Sequence, residues 1–170
     1  DTRRSWLDGL LIQLEPVYSS ILQQYNQVLR QRNALLKKIR AIRQDELLGA
    51  VDSLEPQLKL WDEQLAAAGS RVTRRRARVV ARLAPIAQVW HKRISGETEQ
   101  LEINYLPNVE WMEDNPEKVQ QAFLAKIADR RMAEQYQGKT VVGTHRDEIE
   151  FTINQTPARY YGSLGQQRTL

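Results

Sequence analysis

Apolar residues recur along this chain at two periods, first every three to four positions and later every two. Leu7, Leu10, Leu11 and Leu14 stand at i, i+3, i+4 and i+7, the stripe of an amphipathic helix that Pro16 ends. From Val17 a second stripe runs through Ile21, Tyr25, Val28, Leu35, Ile39 and Ile42, and only Arg32 stands where an apolar residue is due. That seam covers roughly three heptads, enough to pair with another helix. Gly49, among acidic residues, marks the turn. A third stripe, Leu54, Leu58, Trp61, Leu65, Ala68, Val72, Val79, Leu83, Ile86 and Trp90, predicts a second long helix, weakened at Gly69 and kinked at Pro85. Two long neighbours joined by a short turn bury each other's stripes as an antiparallel pair.

Ser95 and Gly96 close this helical part, and the period changes. Over residues 100–106, Leu101, Ile103 and Tyr105 alternate with Glu102 and Asn104, a half-buried strand that Pro107 stops. Asn115-Pro116 has the chemistry of a helix start, a capping side chain followed by proline at the first helical position. The inward face of that helix is Val119, Phe123, Ile127 and either Met132 or Ala133, with Gly138 at its carboxyl end. Thr140-Val141-Val142 and residues 148–153 predict strands on either side of a turn at 143–147. The chain breaks again at Asn154-Gln155-Thr156-Pro157 and ends in Gly162-Ser163-Leu164-Gly165-Gln166-Gln167-Arg168-Thr169-Leu170. Ser163 suits a helix N-cap, and Gly165, without a Cβ, lets backbone amides approach a bulky anion such as phosphate. The expected fold class is α+β, mainly helical, with a long antiparallel helix pair and a few strands.

Composition narrows the class. With 41% apolar residues the chain can build a core, and its 27% charge favours helices with broad solvated faces. There is no cysteine, hence neither a disulfide framework nor a thiolate metal centre. No apolar run reaches the roughly 18 residues of a membrane helix, and nothing at the amino end reads as a leader. The expectation is a soluble cytoplasmic protein with no membrane partner. His145 and Asp147 are close enough in sequence for a carboxylate to orient an imidazole, but no nucleophile or second histidine accompanies them, so a polar turn is the favoured reading. His91 is expected at the surface, Trp6, Trp61, Trp90 and Trp111 in the core, and the acidic clusters lack calcium-loop spacing, so no metal is expected. No catalytic residue is assigned.

Charge is where the chain departs from an ordinary helical protein. Residues 30–43 hold six basic side chains and 71–93 hold eight, with no acid in either window, whereas 45–63 and 97–117 are acidic. Arg71, Arg74, Arg75, Arg78 and Arg82 are spaced 3, 1, 3 and 4, on one helical face opposite Val72, Val79 and Leu83. No acid stands four residues away to neutralise them, as on a mixed solvated face. Guanidinium forks in such a row fit the closely spaced phosphates of nucleic acid. The competing reading pairs them with the acidic segments, within the chain or in a partner. Arg32, inside the seam, is expected to meet an acid on the neighbouring helix and fix its register.

Four stretches carry a family resemblance. Ser163-Leu164-Gly165-Gln166-Gln167-Arg168 resembles the signature motif of ABC-type ATPases, and Gly143-Thr144-His145-Arg146-Asp147-Glu148 resembles the Gly-Pro-His-Arg-Asp-Asp segment of the RecF family of bacterial recombination proteins. Gln31-Arg32-Asn33-Ala34-Leu35-Leu36-Lys37 and Trp61-Asp62-Glu63-Gln64-Leu65 resemble the same family, in order along nearly the whole chain. Thr144 replaces the usual proline and Gly162 the usual leucine; neither change removes a phosphate-touching group.

The resemblance implies an antiparallel long-helix lobe inserted in a partial ABC-type ATPase head. Residues 1–16 would end a first head segment, 17–95 form the lobe, and 96–170 return to the head. It implies that Ser163, Gly165, Gln166 and, with a bracing role, Arg168 cap ATP bound to the other subunit of a dimer closed by ATP. The sequence Gly-x-x-x-x-Gly-Lys-Ser/Thr is absent. The resemblance puts the phosphate-gripping loop before Asp1 and the Mg²⁺-binding acid beyond Leu170. ATP and Mg²⁺ are thus cofactors of a longer parent, implied to be a weak DNA-dependent ATPase, while this segment alone is expected to be inactive. Implied partners are DNA at gaps or junctions, RecR-type and RecO-type mediators, and RecA, in the cytoplasm at the nucleoid. Two alternatives stand beside this reading. One is a helical hairpin that binds protein and never DNA; the other is a head fragment of an SMC-like ATPase, against which the short arm counts.

Overall fold

The computed structural model describes residues 2–46 and 48–158. Helix α1 (Thr2–Leu14) leads into α2 (Val17–Gln44), a short α3 (Leu48–Asp52) and the forty-residue α4 (Glu55–Ile94). Strand β1 (Leu101–Leu106) follows, then α5 (Pro116–Asp129), α6 (Arg131–Gln137), a single 3-10 turn (Thr144–Arg146), β2 (Glu148–Ile153) and β3 (Thr156–Pro157). Helices α2 and α4 run antiparallel. Arg32 bonds Asp62 while Gln24, earlier in α2, bonds Arg71, later in α4. Among the described residues three antiparallel strands pair in the order β1-β2-β3, with Ile103 opposite Phe151 and Leu101 opposite Ile153.

The apolar stripes do what their spacing predicts over most of their length. Leu7, Leu11, Tyr18, Ile21, Tyr25, Leu65, Val72, Phe123, Ile127, Ile103 and Ile149 meet in one core where α1, α2, α4, α5 and the sheet converge. A second core at the closed end of the hairpin gathers Leu35, Leu36, Ile39, Val51, Leu54 and Leu58. Trp61 touches both.

Several expectations are corrected. Gly49 lies within α3 and not in an open turn, so the acidic connection adds a helical turn of its own. Helix α4 continues through Pro85, yet its last apolar positions leave the core: Ile86 is 57% exposed and Trp90 59%. Trp90 stacks beneath Arg93, whose guanidinium carbon is 5.5 Å from the ring centroid. Trp6 is exposed on one side and packs against Phe151 on the other. His91, expected outside, is buried. The helix opening at Asn115, whose side chain accepts the Glu117 and Lys118 amides, is broken at Arg130 into α5 and α6. Glu134 and Gln135, not Met132, are the inward residues of α6, because a buried cation awaits Glu134. Thr140, Val141 and Val142 form no strand. Side chains satisfy their backbone instead: Asn33 accepts the Thr140 amide and Glu134 the Val141 amide.

Gly69 is not simply a weak point. A Cβ there would lie 2.5 Å from Phe123 Cε1, so the missing side chain lets α5 seat its ring on α4.

Candidate nucleic-acid interface

The arginine row lies along one face of α4, but the structure gives most of it acidic company. Arg74 Nε donates to Asp114 Oδ1 at 2.6 Å, and Arg78 Nε donates to Asp114 Oδ2 at 2.9 Å. Arg75 lies 3.6 Å from Glu15 at the end of α1, and Arg71 donates to Gln24. Absence of acids at i±4 in α4 is therefore no guide to the face, because the acids arrive from α1 and from the loop ahead of α5. Arg71, Arg78 and Arg82 are exposed, while Arg74 and Arg75 are half-buried. The two guanidiniums of Arg78 and Arg74 hold the Asp114 carboxyl down at about 2. Partial burial, then the like charges of Arg71, Arg78 and Arg74, push the Arg75 guanidinium down.

Arg76, one residue from this row, turns inward and was not singled out by spacing. Its place four residues after Val72 and three before Val79 puts it on the apolar side, which is the signal the sequence contained. It donates from Nη2 to Asp8 at 2.9 Å, from Nη1 to Asp147 at 2.9 Å, and from Nη1 to the Thr144 carbonyl at 2.7 Å. Burial penalises the Arg76 cation, but Asp8, Tyr18 and Asp147 more than offset that and raise its pKa. Asp147 also accepts the Tyr105 hydroxyl and, at 2.8 Å, the Asn108 amide. Burial pushes the Asp147 carboxyl up, against all of these partners. One guanidinium so ties α1, α4 and the 144–147 turn together, and Asp147 extends the tie to β1.

Arg32 behaves as its place in the seam predicts, with more partners than expected. Fully buried between the two apolar cores, it bonds Asp62 through Nε and Nη2, both oxygens of Glu134 at 2.7 Å, and Thr140 Oγ1 at 3.0 Å. Arg131 supports Asp62 from the outer side.

His145 is a structural residue of its turn. Its Nε2 lies 3.0 Å from the Thr140 carbonyl and therefore carries the proton, which leaves Nδ1 to accept the Tyr25 hydroxyl at 2.8 Å. Burial lowers the His145 pKa and pushes Tyr25 up to about 12. Gly143 adopts φ +137°, and a Cβ there would run into the Tyr25 hydroxyl. Among the described residues no group of three or more His, Asp or Glu is placed to hold a metal ion, and no helix is long and apolar enough to cross a membrane. Ser163, Gly165, Gln166 and Arg168 lie outside the described residues.

No protein-family model matches the chain. It is 66% identical over 175 residues to the DNA replication and repair protein RecF of Gloeothece citriformis, covering all of this chain and 46% of that protein. It is also 66% identical, over 173 residues, to RecF of Rippkaea orientalis, of which it covers 45%. Among solved structures, the recombination mediator protein RecF-ATPrS of the RecFOR pathway matches with a TM-score of 0.85 at 30% identity, over 99% of this chain and 43% of that one. RecF-ATP of the same pathway gives a TM-score of 0.83 at 29% identity, with 99% and 42% coverage. The chain thus spans under half the length of the curated relatives it matches.

Proposed function

The chain belongs to the RecF family of DNA replication and repair proteins, as a segment of a longer protein, and on that premise we propose how its parts serve an ATP-dependent DNA-binding machine. Residues 17–95 are its arm, and 1–16 and 96–170 are parts of its ATPase head. DNA at a gap or junction lies along Arg71, Arg74, Arg75, Arg78 and Arg82. Ser163, Gly165 and Gln166, braced by Arg168, cap the ATP of a second subunit, with Mg²⁺ held by residues of the longer protein. ATP closes the homodimer and slow hydrolysis reopens it. The cycle runs in the cytoplasm at the nucleoid, with RecR-type and RecO-type mediators that help load RecA.

The observation that carries the DNA reading is the exposure of Arg71, Arg78 and Arg82 along one face of a forty-residue helix. Guanidiniums that reach phosphates release condensed counterions, so the full-length protein should lose affinity steeply with salt. Changing Arg71, Arg78 and Arg82 to Gln should lower the slope of log Kd against log salt by about 3 on duplex and gapped DNA. An unchanged slope sinks this placement and favours the protein-contact arm, to which the pairing of Arg74 and Arg78 with Asp114 lends some support. For the ATP reading, Ser163→Arg in the full-length protein should abolish the ATP-dependent dimer in sedimentation. Dimerisation as strong as in the wild type would refute the trans contact.

A further inference from the structure

Asp114 occupies a position on the arginine face that its chemistry shares with a DNA phosphate. Arg74 and Arg78 are one helical turn apart on α4, and both turn their guanidiniums onto this single carboxylate. The contacts are Arg74 Nε to Oδ1 at 2.6 Å, Arg78 Nε to Oδ2 at 2.9 Å and Arg78 Nη2 to Oδ1 at 3.3 Å. A phosphodiester offers the same equipment, two free oxygens and one negative charge, to the same fork.

The pair is not built as a permanent structural bridge. Asp114 and Arg78 are 41% and 44% exposed, unlike the closed networks around Arg32 and Arg76. Exposed ion pairs of this sort are weak and readily screened. The carboxylate also sits on a short loop segment held at both ends. On one side Trp111 Nε1 donates to Thr73 Oγ1 at 3.2 Å, and on the other Asn115 caps α5. Between these anchors Met112 is fully exposed, and Glu113 and Asp114 face solvent. Asp114 can leave the arginines while Trp111 and Asn115 stay where they are.

We propose that Asp114 is an intramolecular stand-in for a DNA phosphate, a latch that occupies the Arg74–Arg78 fork until a polymeric phosphodiester displaces it. The inference rests on the DNA reading of the arginine face. It also explains a selectivity that an open row of arginines lacks. A lone anion competes with Asp114 for one fork and gains little. A duplex meets Arg71, Arg75 and Arg82 at the same time, releases several counterions, and so can displace one carboxylate. The latch therefore favours nucleic acid over free nucleotides and inorganic phosphate on this face.

The test measures binding of a fluorescein-labelled duplex to the full-length protein with ATP, by anisotropy at low salt. Five proteins are compared: wild type, Asp114→Asn, Asp114→Glu, Arg74→Gln/Arg78→Gln, and the triple variant of Asp114→Asn with the arginine pair. Releasing the two ion pairs, one exposed at Arg78 and one half-buried at Arg74, should tighten Kd by about 3- to 10-fold in Asp114→Asn. The arginine double variant should bind more weakly. In that background Asp114→Asn should change Kd by less than about 2-fold, because the fork it guards is gone. Asp114→Glu should behave as wild type, and thermal melting of each variant shows that affinity changes are not changes of fold. Equal tightening in both backgrounds would mean that Asp114 acts only as a distant repulsive charge, and would overturn the latch while leaving the DNA reading intact. No tightening in Asp114→Asn overturns it likewise. If the arginine double variant binds as tightly as wild type with the same salt slope, the arginine-face reading fails and the latch falls with it.

Discussion

Arg32 offers the sharpest test of what holds the helices in register. Replacing it by Met keeps most of the side-chain volume and removes five hydrogen bonds to Asp62, Glu134 and Thr140. The two acids fare differently. Asp62 keeps Arg131, which reaches it from the partly exposed side. Glu134 is fully buried and, among the described residues, keeps only the Val141 amide, at 2.9 Å. A buried carboxylate stripped of its cation is the costly outcome, about 3–5 kcal/mol when one partner of a buried pair is removed. For a chain of this size that lowers the melting temperature by roughly 10 °C, at ~2–4 °C per kcal/mol. Most of the loss arises at Glu134, so adding Glu134→Gln should recover a large part of it. The amide still accepts from Val141 and carries no charge to desolvate. Urea unfolding of Arg32→Met, Glu134→Gln and the double variant measures this directly. A loss below about 1 kcal/mol in Arg32→Met, or a double variant no more stable than Arg32→Met, would refute the reasoning. The network would then be an incidental feature of an apolar seam.

Gly69→Ala should destabilise by about 1–3 kcal/mol, although alanine is the better helix former, because its Cβ meets the Phe123 ring. Phe123→Leu in the same chain should give part of that back, and a raised melting temperature in Gly69→Ala would show that the contact is slack. His145 is neutral in the fold, with its pKa lowered by burial, so the unfolded chain binds the extra proton. Its contribution to stability is full above the ordinary histidine value near 6.5 and is lost as pH falls below it. The difference in urea midpoint between wild type and His145→Gln should thus change between pH 7.5 and pH 5, and a constant difference would exclude the assignment. Asn115→Ala removes the cap of α5 and should cost about 1 kcal/mol, read as a lower midpoint.

Periodicity made the two long helices, β1, β2 and the start of α5 legible, because each buries one face against a continuous core. Arg32 was legible for the same reason: a charge interrupting an apolar seam must find a partner. What spacing did not reveal came from contacts far apart in the chain. The Thr140-Val141-Val142 segment has strand composition, but Asn33 and Glu134 claim its amides. Arg76 looked like one more member of a basic run, since local charge density hides a residue whose partners lie 68 and 71 positions away. Glu15, facing Arg75, was hidden likewise, because i±4 rules see only one helix, whereas Asp114, facing Arg74 and Arg78, lies in the acidic segment 97–117 that the competing reading paired with the row. Ile86 and Trp90 fit the stripe of α4 but face outward, while His91, next to Trp90, takes the covered side. The opposite error arose at Gly69, where the absence of a side chain is what the packing requires.

Helix α4 can also be regarded as a mechanical part. Its forty residues form a rod of about 60 Å at 1.5 Å per residue, and beyond Pro56 in its first turn no proline interrupts it from Gln57, beside the hairpin end, to Arg76. Arg76 is clamped to Asp8, the Thr144 carbonyl and Asp147, and Asp147 stands directly before β2. A load applied at the hairpin end arrives about 30 Å away at a fulcrum fixed to the 144–147 turn. The hairpin then has the build of a lever: a load on its closed end is passed through Arg76 to α1 and to the turn that leads into β2.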